Sequence, residues 1–235
     1  MKKLVLQLKM TLIGVLVCCF STQAQHHHNK EGQKHQHKPA MSANEYMHQS
    51  SVKQLAQRFD SPERDAYQQP EKVLAYLGDI RGKKIMDIGA GSGYFSIKLA
   101  QAGAEVIAAD VNDEFQDYLR SRLERENLKD LKIALRKIPY DSPELKSSEV
   151  DMVFLANTYH HIEDRVAYFA KVKNGLGASG ELFIIDYFKT DLPVGPPMDH
   201  KISMDQVVSE LKAAGFSDFE VEVDLLPYQF IFRVK

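Results

Sequence analysis

Ile85-Met86-Asp87-Ile88-Gly89-Ala90-Gly91-Ser92-Gly93 is the stretch on which the reading of this chain turns. A short apolar run ends in an acid, and three glycines then alternate with small residues. Tyr94-Phe95-Ser96-Ile97-Lys98-Leu99-Ala100 follows with apolar groups at helical spacing. The pattern predicts a buried strand, a tight turn and a helix. The turn's backbone is open to close approach by a ligand, because glycine carries no Cβ. Asp87 stands at the strand end, where a carboxylate meets a ligand's ammonium group. A second apolar run, Glu105-Val106-Ile107-Ala108-Ala109-Asp110, ends in another acid seventeen residues after Gly93. An acid at the tip of the second strand is where a ribose diol is held.

This spacing resembles motif I of the class I S-adenosylmethionine methyltransferases, Asp/Glu-x-Gly-x-Gly-x-Gly. The dinucleotide fingerprint Gly-x-Gly-x-x-Gly is the rival. Counted from Gly89, its last position falls on Tyr94, and the glycine comes one residue early at Gly93. An acid two residues before the first glycine also suits a cofactor that bears an amino acid better than a pyrophosphate.

From Ser50 onward helix and strand patterns alternate, which predicts a parallel sheet covered on both faces. Helices are predicted over 51–59, 71–77, 94–102, 113–126, 165–176 and 204–214. Strands are predicted over 83–89, 105–110, 131–135, 150–155 and 181–186, with a closing hairpin over 219–224 and 228–234 around Leu226-Pro227. Pro70 opens the second helix from a first-turn position. Asn112 and Ser203 are the expected caps, and Gly103, Gly177 and Gly215 the expected stops. The fold class expected is α/β, a doubly wound, mostly parallel seven-stranded sheet with a C-terminal antiparallel hairpin. This is the Rossmann-like sheet that the resemblance implies, so the resemblance spans roughly residues 50–235.

Ligands of open parallel sheets sit outside the carboxyl ends of the strands, so candidate site residues are sought there. By resemblance, Asp87 and the amides of Gly89, Gly91 and Gly93 hold the methionine part of S-adenosylmethionine. Asp110 is expected on the ribose hydroxyls, with Val111 beside the adenine. After the third strand, Asp141 is a candidate for the adenine amino group, with turn capping before Ser142-Pro143 as the alternative. The fourth strand ends in Asn157-Thr158-Tyr159-His160-His161, the position that faces the transferred methyl group in the family. Asn157 is counted with the cofactor residues. His160 and His161 are both candidates for a general base, because imidazole titrates near neutral pH, and one of the two is expected to be structural. Asp186, Tyr187, His200 and Tyr228 are candidate substrate contacts. Upstream, Arg64 and Tyr67 lie in a segment that in this fold folds over the cofactor, with surface salt bridges as the plainer reading.

The N-terminus reads differently. Lys2, Lys3 and Lys9 precede an uncharged stretch from Met10 to Phe20, and Thr22-Gln23-Ala24 closes it with small residues. That is the pattern of a secretory signal peptide cleaved after Ala24, too short in its apolar part to span a bilayer. Val17 and Cys18 fit a lipoprotein signal poorly before Cys19. Export to the periplasm or medium is therefore the expectation, and the domain plan is 1–24 signal, 25–48 His-rich disordered linker and 49–235 catalytic domain. Cys18 and Cys19 are the only cysteines, so cleavage leaves no thiol chemistry. Cleavage also removes three lysines and no acids, which moves the formal net charge from −2 to −5. With no basic block, nucleic acid is not an expected partner. His26, His27, His28, His35 and His37 form a polar tract that is either a solvated tether or a weak divalent-metal binder.

The reaction implied is in-line transfer of a methyl group to a small-molecule or lipid-like acceptor. The chain lacks Asn-Pro-Pro-Tyr after the fourth strand, which argues against adenine-N6 or glutamine methylation. Around the end of the fifth strand only Asp186 offers a metal-binding acid, with Asn157 a possible partner, so no catalytic metal is expected. Export sits awkwardly with a cofactor made in the cytoplasm. The competing readings are accordingly an exported, non-catalytic adenosyl- or hydrophobic-ligand-binding protein and metal capture by the histidine tract.

Overall fold

The computed structural model describes residues 42–47 and 49–235. The expected signal peptide, the cleavage point and the histidine tract lie outside the described residues.

The element order is α1 Ala43–Met47, α2 Val52–Phe59, α3 Pro62–Gln68, α4 Pro70–Leu77, β1 Lys84–Ile88, α5 Tyr94–Gln101, β2 Glu105–Asp110, α6 Asp113–Arg125 and β3 Ile133–Lys137. There follow β4 Val150–Ala156, a 3-10 turn Tyr159–His161, α7 Arg165–Gly175, β5 Leu176–Tyr187, a second 3-10 turn Met198–His200, α8 Met204–Ala213, β6 Phe219–Glu222 and β7 Gln229–Val234. All seven strands form one sheet in the order β3-β2-β1-β4-β5-β7-β6. β1 to β5 run parallel, and β7 pairs antiparallel with both β5 and β6. The doubly wound sheet with a terminal antiparallel pair is thus the observed fold.

Alternation along the strands fills both faces. Ile85, Met152, Phe154, Phe183 and Ile185 pack against Val73 and Leu77 of α4 and Phe95 and Leu99 of α5. Met86, Ile88, Val153, Leu155 and Ile184 point the other way, onto Phe169 and Val172 of α7 and Val207 and Leu211 of α8. This is the period-two geometry of strands buried on both sides. At the centre, Phe154 and Phe183 stack with ring centroids 5.5 Å apart, and Phe95 caps Phe154 at 5.0 Å.

Several boundaries differ from the sequence pattern for physical reasons. Residues 43–47, expected within the linker, form α1, because Ser42 and Glu45 close a reciprocal pair of cap hydrogen bonds. α3 stands where no helix was expected. Ser61 caps it and Pro62 sits at its first turn, so capping chemistry overrides a polar composition. β3 begins two residues later than expected and ends in Arg136 and Lys137. It is an edge strand, where charge is tolerated, and Arg136 pairs with Glu149 at 2.6 Å. α7 stops at Gly175 and the chain runs straight into β5, so Gly177 is a strand residue rather than a helix stop. The extra residues are absorbed by a bulge, with Val150 opposite Leu176 but Met152 opposite Glu181. Asn112 caps α6 through its side chain as expected. Ser203 occupies the cap position of α8 with no side-chain cap hydrogen bond.

Candidate active site

A cavity of about 310 Å³ opens over the carboxyl ends of β1, β2, β4 and β5. Asp87, Gly89, Gly91, Asp110 and Val111 line one side of it. Asn157, His160, His161, Tyr187 and His200 line the other. Gly93 is buried beside the cavity rather than in its wall, and a Cβ there would overlap the Leu119 side chain. Three further expected contacts do not line the cavity. Asp141 is exposed, and its neighbour Tyr140 lines the wall instead. Tyr228 stays outside, while the adjacent Gln229 turns inward into a buried amide cluster. Asp186 is buried behind His160.

The glycine turn takes its shape from local hydrogen bonds. Asp110 Oδ2 accepts the Gly91 N–H at 2.8 Å and Oδ1 accepts the Asn112 N–H at 2.9 Å, so the tip of β2 closes the turn after β1. Gly89 has φ of 75°, and a Cβ on it would collide with the Thr158 side chain. Glycine is therefore required there twice over, for backbone and for space. Asp87 Oδ2 accepts from Ser96 Oγ at 2.6 Å. Burial pushes the Asp87 carboxyl up to about 6, against the pull of Ser96 and Arg64. Burial also raises Asp110, opposed by the amides of Gly91, Asn112 and Val111.

The helices before the sheet close over this turn. Asp60, just after α2, accepts from Ser92 Oγ at 2.6 Å, Arg122 Nη1 at 2.6 Å and Tyr118 Oη at 2.9 Å. Arg64 of α3 is 9% exposed and its guanidinium carbon lies 3.9 Å from the Tyr94 ring centroid. Its Nη1 donates to the Phe59 carbonyl, and its buried Nε has no acceptor among the described residues. Phe59 and Phe115 stack beside the opening at 5.9 Å, a pair that the sequence reading missed because their elements are remote in the chain.

The far side is a polar assembly drawn from five segments. Asn157, with φ of 60°, donates through Nδ2 to Gln68 Oε1 at 3.0 Å and accepts from Gln229 Nε2. Gln68 Nε2 in turn donates to Gln229 Oε1 at 3.1 Å, and both glutamines are fully buried. His160 Nδ1 lies 2.9 Å from Asp186 Oδ1. His161 Nδ1 faces Asn44 Oδ1 of α1 at 3.1 Å, and Asn44 Nδ2 donates to the His161 carbonyl at 3.0 Å. Burial, together with the neighbouring His160, holds the His161 imidazole down at about 3, so it is neutral at physiological pH. Gly195 lets the loop after β5 close on Tyr187, since a Cβ would lie 2.8 Å from its ring.

Residues 85–180 match a family described as "Methyltransferase domain". A S-adenosylmethionine-dependent methyltransferase from Aquifex aeolicus superposes with a TM-score of 0.72 at 26% identity, covering 79% of this chain and 98% of that one. Residues 85–180 thus carry a methyltransferase domain, and the fold around them is that of a S-adenosylmethionine-dependent methyltransferase. Among curated proteins, the chain is 24% identical over 114 residues to a tRNA U34 carboxymethyltransferase of Alcanivorax borkumensis, covering 48% of this chain and 35% of the relative. It is 24% identical over 109 residues to a ubiquinone biosynthesis O-methyltransferase of Acinetobacter baylyi, covering 46% and 45%. The chain therefore spans less than half the length of these curated relatives. S-adenosylmethionine is the cofactor of the family. Among the described residues, no helix is long and apolar enough to cross a membrane, and no group of three or more acidic, histidine or cysteine side chains is placed to hold a metal ion.

Proposed function

We propose that this methyltransferase binds S-adenosylmethionine on the β1–β2 side of the cavity and transfers its methyl group to a small, uncharged acceptor on the β4–β5 side. The observation that carries the reading is the turn Gly89 to Gly93 clasped by Asp110, at the mouth of a cavity lined by two buried carboxylates. The residues present fit a cofactor that bears an amino acid and an adenosyl group. Asp87 is a desolvated acid suited to an ammonium, and Arg64 has a buried Nε awaiting an acceptor such as a carboxylate. Asp110 and Val111 stand where a ribose and a base are held. When bound, such a cofactor supplies a methyl carbon made electrophilic by a sulfonium.

The chain's own contribution is placement and proton handling. Orientation of the reacting groups alone supplies about 7 to 11 kcal/mol in favourable cases. Phe59, Phe115 and Tyr140 border the cavity and help to exclude water. Among the described residues, the polar wall on the acceptor side includes Tyr67, Asn157, His160, His161, Tyr187 and His200, and no carboxylate lines it to receive an ammonium. That wall suits an acceptor whose nucleophilic atom arrives neutral and protonated, with a histidine to take its proton.

Isothermal titration with S-adenosylmethionine and S-adenosylhomocysteine tests the reading. Micromolar binding is expected, weakened about 30- to 100-fold in Asp110→Ala, which removes a carboxylate and strands the Gly91 amide. A folded protein that binds neither compound overturns it.

A further inference from the structure

We infer that Asp186 is the positioning residue that makes His160, and not His161, the proton acceptor of this site. The inference rests on the methyl-transfer reading above and deepens it. The two histidines are adjacent in sequence, both line the cavity, and their rings lie 4.2 Å apart. Sequence alone cannot separate them. Their second partners do.

Three donors converge on the Asp186 carboxylate. The His160 backbone N–H reaches Oδ2 at 3.1 Å, the Tyr187 N–H reaches Oδ1 at 2.8 Å, and His160 Nδ1 lies 2.9 Å from Oδ1 and 3.0 Å from Oδ2. The side chains of His160 and Asp186 are each only 3% exposed. An ionised carboxylate can only accept, so Nδ1 must carry the hydrogen. The Nε2 lone pair is then the one left to accept a proton. The carboxylate also holds the main chain of the residue it orients, which fixes ring and backbone as one unit. Asp186 does not line the cavity, so it acts through His160 and touches no acceptor itself.

His161 has no such support. Its Nδ1 faces an amide oxygen of Asn44, which is neutral and cannot balance an imidazolium, and its half-buried ring lies against His160. A proton taken there would be an uncompensated, partly desolvated charge next to a second imidazole. A proton taken by His160 Nε2 becomes part of an ion pair with Asp186. The acceptor's nucleophilic atom thus loses its proton to Nε2 as it bonds to the methyl carbon. The electron pair of the broken carbon–sulfur bond stays on sulfur, and the imidazolium gives its proton to water after the products leave.

The test needs no acceptor. In protein labelled with 15N-histidine, two-bond 15N–1H correlation spectra at pH 7 report the tautomer of each ring, with His160→Gln and His161→Gln used for assignment. His160 is expected as the Nδ1–H tautomer. Asp186→Asn, whose amide donates to Nδ1, is expected to convert it to Nε2–H and leave His161 unchanged and neutral down to pH 5. An Nε2–H tautomer at His160 in the unmodified protein overturns the inference, as does an unaltered tautomer in a folded Asp186→Asn variant. If that variant fails to fold, the tautomer in the unmodified protein decides. S-adenosylhomocysteine binding is measured on the same sample. Binding with the wrong tautomer sinks this inference alone, and absence of binding sinks the methyl-transfer reading.

Discussion

On the side of the cavity assigned to the cofactor, Asp87, the glycine turn, Ser96 and Asp110 all come from one β1–α5–β2 unit. On the opposite side, Asn44, Gln68, Asn157, His160, Asp186 and Gln229 come from α1, α3, the end of β4, β5 and β7. The first wall is closed by short backbone hydrogen bonds to acids, and the second by side chains that bond mostly to one another. A wall made from one supersecondary unit tolerates changes elsewhere in the fold. A wall made from five segments depends on every element that delivers a piece of it.

The largest expected effect sharpens the cofactor side. The Asp87 carboxyl sits at about 6 rather than the ordinary carboxylate value near 4. Because the folded value is the higher one, Asp87 stabilises the fold most at low pH, and this contribution is lost as pH rises through about 6. Above that pH the ionised, buried group costs up to about 3 kcal/mol. Asp87→Asn keeps an oxygen for Ser96 and should raise the melting temperature at pH 7.5, with the gain shrinking below pH 6. It should at the same time abolish micromolar S-adenosylmethionine binding. Thermal scans across pH and one titration check both halves.

A smaller effect should separate the walls. Gln229→Leu removes an amide from the fully buried Gln68–Asn157–Gln229 cluster and strands its partners. A loss of about 2 kcal/mol in chemical denaturation is expected. S-adenosylhomocysteine affinity should change less than threefold, because no member of the β1–β2 wall is touched. A loss comparable to that of Asp110→Ala would show that the two walls are one cooperative unit.

The smallest effect concerns α1. Asn44→Ala breaks both hydrogen bonds to His161 and should cost about 1 kcal/mol. Carbethoxylation of His161, followed by mass spectrometry, should speed up several-fold once α1 no longer pins the ring. An unchanged rate would mean that α1 stays seated without this contact.

Most of the sheet was legible because it is built from short, nearly continuous apolar runs separated by glycine and capping residues, as at Lys84–Ile88 and Glu105–Asp110. The weakest reading was at β3, where edge position lets Arg136 and Lys137 replace apolar residues, and at the start of β5, where a bulge hides the register. In the site, Asp87, Gly89, Gly91, Asp110 and Val111 could be read because a single turn brings them together. Asp186 was legible as a strand-end acid, but its place behind His160 was not. Gln229 follows Tyr228 at the expected mouth of the pocket, but nothing in the sequence marks it as a partner of Gln68, because the two stand 161 residues apart and meet only through the packing of α3 against β7.

The amino-acid sequence by itself determined the strand-turn-helix at the mouth of the cavity, because glycines at positive φ and an acid in register are local requirements on the backbone. It also determined the two-faced burial of the sheet, which follows from side-chain alternation. Only the tertiary structure decided which of two neighbouring histidines is backed by a carboxylate. That outcome depends on β5 lying beside β4, with Asp186 behind the ring of His160 and Asn44 of a distant helix against His161. Such partners are set by strand order and packing, and pairings between remote side chains leave no periodic trace in the chain.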